Sequence, residues 1–103
     1  MSTALVRQRQ LVTRDSRPML PRHIKLRHDE GRGRWVILAP ERVFDPDATA
    51  VAVLKLVNGR RSVLDIAVLL AQDYDAPVDI ILADAVTMLQ DLADKGVVTT
   101  KLE

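Results

Sequence analysis

The chain has 103 residues, which is enough for one domain with one modest core. Hydrophobic residues make up 48% and charged residues 28%, an ordinary globular balance rather than a disordered one. The absence of cysteine excludes disulfides and thiolate metal ligands, and no apolar run approaches the roughly 20 residues that span a bilayer. We therefore expect a soluble cytoplasmic protein that does not act in a membrane.

The net charge of +1 is unevenly distributed. Residues 1–33 carry +5 and residues 34–103 carry −4. Residues 1–20 show no sustained hydrophobic period, and Pro18 and Pro21 close this stretch and prevent a helix across it. We predict a flexible basic arm or linker over residues 1–20, followed by one folded domain over residues 21–103.

Hydrophobic alternation with a period of two indicates the first strands. Ile24 and Leu26 alternate with charged neighbours, and Trp35–Leu38 forms a second run rich in residues that favour strands. Pro40 interrupts this run, and Arg42–Phe44 follows as a third, short strand. A short strand next to a proline is typical of a sheet edge. The pattern predicts a small antiparallel sheet whose third strand has an open side.

A first helix and a tight corner follow. Asp45-Pro46-Asp47 has an N-cap candidate with proline at the first helical position, and the residues from Ala48 to Val57 are almost all apolar. Gly59 suits a left-handed backbone position just past the end of this helix. Ser62 with Asp65 predicts a capping box at the start of the next helix. We expect almost no chain between the two helices.

The second predicted helix runs from Val63 to about Asp73. Its core stripe can extend to Tyr74 and contains Val63, Ile66, Ala67 and Leu70. Three apolar residues lie off this stripe, namely Leu64, Val68 and Leu69. They leave spare apolar surface, which could bind a partner protein, pack on the arm or contact a second copy of the chain.

The third predicted helix runs from about Asp79 to Lys95 and has an apolar arc of about 160°, wider than a minimal core stripe. Gly96 ends it, and Val97–Thr100 can return as a short strand. The predicted fold is α+β and winged-helix-like, with a three-stranded antiparallel sheet followed by three helices and a short C-terminal strand.

Several short motifs, in this order and spacing, resemble the PqqD family of pyrroloquinoline quinone biosynthesis, the type member of the RiPP recognition elements. The resemblance covers roughly residues 17–99 and rests on Leu38-Ala39-Pro40-Glu41, residues 54–66, Tyr74, Asp84-Ala85-Val86 and Leu89-Gln90-Asp91-Leu92. Asn58 stands where the family often has Asp, a conservative change at a cap.

The resemblance implies a non-catalytic chaperone, which would bind the leader of the precursor peptide PqqA and present it to the radical SAM enzyme PqqE. We expect no cofactor or metal, and a monomer rather than a dimer. In such relatives the leader adds as a strand beside the third β-strand and packs on the third helix. The implied peptide-binding residues here are Glu41, Arg42, Val43, Phe44, Ile81, Asp84, Ala85, Met88 and Asp91.

On helical spacing alone, ordinary core positions explain Ile81, Ala85 and Met88, and a solvated face explains Asp84 and Asp91. The family resemblance instead implies that the two carboxylates meet basic leader residues. The contact with PqqE is expected at the spare apolar positions of the second helix, Leu64, Val68 and Leu69.

Other functional classes receive less support from the residues. His23 and His28 point to opposite faces of an extended strand, so no metal site or catalytic triad is indicated. A winged-helix DNA-binding module is the main alternative, but its recognition helix would carry −3 over residues 79–95, the wrong sign for binding phosphates. A purely structural oligomerisation module is the third class.

Overall fold

The computed structural model describes residues 10–101. These residues form five strands and three helices, which confirms the predicted α+β class. In chain order the elements are β1 (Arg17–Met19), β2 (Lys25–Asp29), β3 (Arg34–Ala39), β4 (Arg42–Phe44), α1 (Ala48–Leu54), α2 (Val63–Tyr74), α3 (Val78–Asp94) and β5 (Thr99–Lys101).

The predicted three-stranded sheet is present, with antiparallel strands in the order β2-β3-β4. Strand β4 lies at an edge, as predicted. The hairpin between β3 and β4 turns through Pro40 and Glu41, and Glu41 has a φ of 62°. Proline followed by a residue with positive φ is the geometry of a type II turn. This turn explains why the sequence places Pro40 directly before the edge strand.

A second, two-stranded sheet joins the two ends of the described chain. Strands β1 and β5 pair antiparallel, and the side chain of Pro18 in β1 is fully buried. This differs from the expectation of a flexible arm, because residues from Gln10 onward pack on the domain. The pairing joins three-residue strands about 80 positions apart, and hydrophobic periodicity cannot detect it. Residues 1–9 of the predicted arm lie outside the described residues.

The segment before β1 is attached to α3 through one side chain. The Gln90 side-chain oxygen accepts a hydrogen bond from the Val12 N–H (2.8 Å), and its Nε2 donates to the Gln10 carbonyl (2.7 Å). Val12 itself is buried in the core. The segment therefore covers the side of α3 that carries Gln90.

Helix α1 is displaced from its predicted bounds at both ends. Its N-cap is Asp47, whose side chain accepts a hydrogen bond from the N–H of Ala50 (2.8 Å), so Pro46 precedes the helix instead of starting it. The helix ends at Leu54 rather than Val57, since the N–H groups of Leu56 and Val57 bond to carbonyls three residues back and tighten the turn. Eight residues therefore connect α1 to α2, where almost none were expected.

The corner, which we define as residues 57–66, contains the predicted local chemistry. Gly59 has a φ of +79°, and Ser62 and Asp65 form a complete capping box. The side-chain oxygen of Asn58 accepts hydrogen bonds from the N–H groups of Arg60 and Arg61, both at 2.8 Å. The sequence thus predicted the turn residues correctly, although the connection is longer than expected.

One core joins the sheet to all three helices. Helix α2 buries its predicted stripe, whereas Tyr74 at its end is 64% exposed and does not belong to it. Helix α3 buries Ala85, Leu89 and Leu92. The best-buried large side chains in the described chain are Ile37, Ile66, Leu89, Val53, Val63 and Val97, together with Pro18.

Candidate functional site

A cleft of about 210 Å³ opens between β4 and the C-terminal half of α3, and we call it the edge cleft. Ile37 of β3 and Ala50 of α1 are buried beneath it. Phe44 of β4 stands on one side, and Met88 and Leu92 of α3 stand on the other. The cleft therefore has an apolar floor and two apolar walls, one of them an edge strand.

The open side of β4 carries unpaired backbone groups. Ala39 and Arg42 are the first and fourth residues of the two-residue turn. In such a turn the carbonyl of the first residue accepts a hydrogen bond from the N–H of the fourth, so these two residues form a hydrogen-bonded pair. Hydrogen-bonded and non-hydrogen-bonded pairs alternate in antiparallel strands, so the next pair, Leu38 and Val43, is not bonded across the strands. We infer that the N–H and C=O of Val43 point away from the sheet, toward an incoming chain.

The opposite edge of the sheet is less suited to pairing. The same alternation leaves the backbone groups of Leu26 and His28 pointing outward from β2. Lys25 and Arg27 are exposed on that strand, and charged side chains of this kind discourage strand addition. On β4 the exposed Arg42 stands at one end, and the exposed side chain at the centre is the apolar Val43, at 58% exposure.

The carboxylates around the edge cleft already have partners. Asp45 lies 3.5 Å from the Arg34 guanidinium, and Asp91 lies 3.0 Å from the Lys95 ammonium. Asp47 is occupied as the N-cap of α1. Exposed ion pairs contribute little energy, and these charges largely balance one another. Apolar contact and backbone pairing should therefore dominate binding here, ahead of charge.

The predicted site residues fall into two groups. Phe44, Met88 and Asp91 line the edge cleft, and the Cζ of Arg42 lies 4.6 Å from the centre of the Phe44 ring. Val43 forms the edge itself. Their contact with a peptide stays a prediction. Ile37, Ala50, Leu92 and Lys95 were not among the predicted residues; of these, Leu92 and Lys95 could have been found, since they follow Met88 at helical spacings of four and seven.

The other predicted residues lie elsewhere. Glu41 is exposed in the hairpin turn and does not line the edge cleft. Ile81, Asp84 and Ala85 line a second opening of about 280 Å³ between α1, α2 and α3, which we call the three-helix pocket. Spacing along α3 placed these residues on the same stripe as Met88. It did not show that α1 would stand beside that stripe.

The outer face of α2 carries the three spare apolar residues. Val68 and Leu69 are each 37% exposed, and Leu64 is half-buried near the segment before β1. The backbone N–H of Leu64 donates to the carbonyl of Arg14 (3.0 Å). One alternative from the sequence was that the three spare apolar residues pack on the arm. The contact between that segment and the start of α2 agrees with this in part, but Val68 and Leu69 remain accessible.

Residues 10–101 contain no group of three or more His, Asp or Glu side chains placed to hold a metal ion. None of the described helices is both long and apolar enough to cross a bilayer.

Comparison with protein families gives one match over most of the domain. Residues 34–98 match the family model of coenzyme PQQ synthesis protein D (PqqD). The PqqA binding protein of Bradyrhizobium diazoefficiens is 59% identical over 92 residues, which is 89% of each chain. The bifunctional coenzyme PQQ synthesis protein C/D of Methylorubrum extorquens is 58% identical over 80 residues, 78% of this chain but 22% of that one.

Two solved structures are similar. One is the solution NMR structure of the PqqD truncation of Methylobacterium extorquens PqqCD, described as a functional and stand-alone RiPP recognition element. It has a TM-score of 0.74 and 53% identity, and the match covers 85% of this chain and 94% of that one. The crystal structure of PqqD from Xanthomonas campestris has a TM-score of 0.54 and 37% identity, covering 84% and 96%.

Proposed function

This chain belongs to the PqqD family, and we propose that it is a non-catalytic peptide chaperone that binds the leader of PqqA at the edge cleft and presents it to the radical SAM enzyme PqqE. Proteins more than 50% identical to it are named for PqqA binding or described as a RiPP recognition element. The peptide would bind as an additional strand along β4, with apolar side chains over Phe44 and Met88.

The observation that carries this proposal is the position of an unpaired strand edge directly beside an apolar cleft. The outward N–H and C=O of Val43 supply hydrogen bonds to any extended peptide, independent of sequence. The apolar walls of the cleft supply selectivity, because they favour peptides with an apolar side chain at the right register. One edge strand and one helix face thus provide both parts of a peptide-recognition site.

A calorimetric titration with synthetic PqqA tests the proposal directly. We expect saturable binding of one peptide per chain, and no comparable binding of a random DNA duplex at moderate salt. The carboxylates along α3 make the duplex a suitable negative control, since Asp79, Asp84, Asp91 and Asp94 are all exposed. Binding of duplex but not of PqqA would contradict the proposal and favour a nucleic-acid function.

The contact with PqqE is proposed at the outer face of α2, through Leu64, Val68 and Leu69. A chaperone that passes on a peptide needs a surface away from the peptide, and this face is separate from the edge cleft. Leu69→Asp should weaken the pull-down of PqqE and leave PqqA affinity unchanged. Gln72→Asp, on an exposed position of the same helix, is the matched control.

Two results would argue against this surface. Retention of PqqE by Leu69→Asp at the level of the Gln72→Asp control would exclude it as the enzyme contact. A concentration-dependent dimer that Leu69→Asp dissociates would assign the surface to a second copy of the chain instead.

A further inference from the structure

The edge cleft and the three-helix pocket lie along a single stripe of α3. At 100° per residue, the residues of α3 and its C-cap that line the two openings fall within an arc of about 120°. These residues are Ile81, Asp84 and Ala85 at the pocket, and Met88, Asp91, Leu92 and Lys95 at the cleft. A chain that follows this stripe would pass both openings.

The beginning of α1 borders both openings. Asp47 and Ala50 line the edge cleft, whereas Ala48 and Thr49 line the three-helix pocket. The first turn of α1 thus stands between the two sites. Its side chains on the pocket side are small, which leaves room for an extended segment to pass over the turn.

The three-helix pocket has the chemistry of a site for one apolar side chain. Most of its lining is hydrocarbon, and the alanines Ala48, Ala52 and Ala85 leave its space unfilled. Its volume of about 280 Å³ is at or below the lower limit of pockets that hold separate small molecules, roughly 300–1,000 Å³. Thr49 and the exposed Asp84 also line it, and both can accept hydrogen bonds from peptide N–H groups.

We propose that the peptide bound along β4 also inserts a second apolar side chain into the three-helix pocket; this rests on the proposed function. The centres of the two lining groups are eight to nine residues apart on α3, about 13 Å at 1.5 Å per residue. An extended peptide covers that distance in about four residues. The recognised segment therefore has two apolar anchors about four positions apart.

An alanine scan of synthetic PqqA against the wild-type protein, followed by calorimetry, measures the spacing of the anchors. Two apolar positions about four residues apart should each lower the affinity by about tenfold or more when replaced by alanine. This part of the test uses only the unmodified protein, so it does not depend on the folding of any variant.

A variant that fills the pocket identifies which anchor occupies it. Ala52→Phe adds a ring to the lining of the pocket and should weaken binding of intact PqqA by about tenfold, and alanine at one of the two anchors should then have no further effect. Ala83→Phe, on an exposed position of α3, is the matched control and should bind like the wild type. Thermal unfolding of both variants checks the fold.

The outcomes separate this inference from the function on which it rests. A single sensitive position in the peptide, or equal affinities of Ala52→Phe and Ala83→Phe for PqqA, would overturn the pocket assignment and leave the edge cleft in place. No binding of PqqA by the wild type would instead remove the proposed function, and the second anchor with it.

Discussion

The corner between α1 and α2 and the edge cleft beside β4 differ in how their backbone polar groups are satisfied. At the corner, the N–H groups of Val63 and Leu64, free in most helix first turns, donate to the carbonyls of Ser16 and Arg14. Asp65 donates its N–H to the Ser62 hydroxyl, and its carboxylate accepts from the Ser62 N–H. Each of these groups has a partner within the chain.

The edge cleft has the opposite character. The backbone groups of Val43 point outward from an edge strand, and the side chains of Phe44 and Met88 border an open apolar space. Hydrogen bonds made within the chain contribute to the stability of the fold, while groups left open are available to a ligand. Changes at the corner should therefore alter stability and spare binding, and changes at the cleft should do the reverse.

The largest expected effect is on stability, from Gly59→Val at the corner. A β-branched residue is strained at a φ of +79°, by about 2–3 kcal/mol, which corresponds to a fall of about 10 °C or more in the thermal midpoint. Gly31→Val, in the exposed β2–β3 turn, is the control. An unchanged midpoint would mean that the corner tolerates other backbone conformations. A loss of PqqA affinity in a variant that is still folded would contradict the expectation that changes at the corner spare binding.

Val43→Pro should produce the largest loss of binding. Proline removes the outward N–H without changing charge or any hydrogen bond within the sheet, so a peptide carbonyl loses its partner at a cost of about 1–3 kcal/mol. We expect PqqA affinity to fall by roughly 10- to 100-fold in calorimetry, with the thermal midpoint nearly unchanged. His28→Pro makes the equivalent change at the β2 edge and should retain affinity. Equal losses from both prolines would show that the two edges do not differ.

Met88→Ala should weaken binding by about 1–2 kcal/mol, roughly 5- to 30-fold, because it removes apolar contact from a wall of the edge cleft. This loss should be independent of salt concentration.

Asp91→Lys should have a smaller effect, because Asp91 is already paired with Lys95, and any effect should shrink as salt is added. A stronger effect of Asp91→Lys than of Met88→Ala at low salt would show that charge, and not apolar contact, is the main determinant of binding.

The smallest expected effect is the pH dependence of the corner. Hydrogen bonds donated by the Ser62 backbone and then by its side chain lower the pKa of Asp65 below its ordinary value of 3.8. Its contribution to stability is therefore present above about pH 4 and is lost as pH falls through the lowered pKa. The difference in midpoint between the wild type and Asp65→Asn should shrink from pH 6 to pH 2. A constant difference would show that the carboxylate charge is not involved.

The elements that the sequence predicted correctly are those specified by local chemistry. Ser62 with Asp65 identifies a helix start within four residues, and Pro40 before Arg42–Phe44 identifies an edge strand. Residues close in sequence make both features, so no knowledge of the remaining fold is required. For the same reason the corner and the edge strand could both be located from the sequence, whereas the expectation that the third helix lies beside that strand came from the family resemblance.

The elements that the sequence did not predict depend on contacts between distant residues. Pairing of Pro18 with Thr100, and the attachment of Val12 to Gln90, join segments about 80 positions apart. The division of the α3 stripe into two openings depends on where α1 crosses it, which helical periodicity does not determine. Ile81 and Met88 share a face by spacing, yet they line different openings.

The most direct test of the central claim is a titration of ¹⁵N-labelled protein with synthetic PqqA, followed by NMR. Strand addition forms new backbone hydrogen bonds, so the amide signals of Arg42, Val43 and Phe44 should shift together with those of residues 88–95 of α3. Residues 25–29 of β2 and the corner should change little. Shifts concentrated in β2 or in the corner, with β4 and residues 88–95 unaffected, would contradict the account.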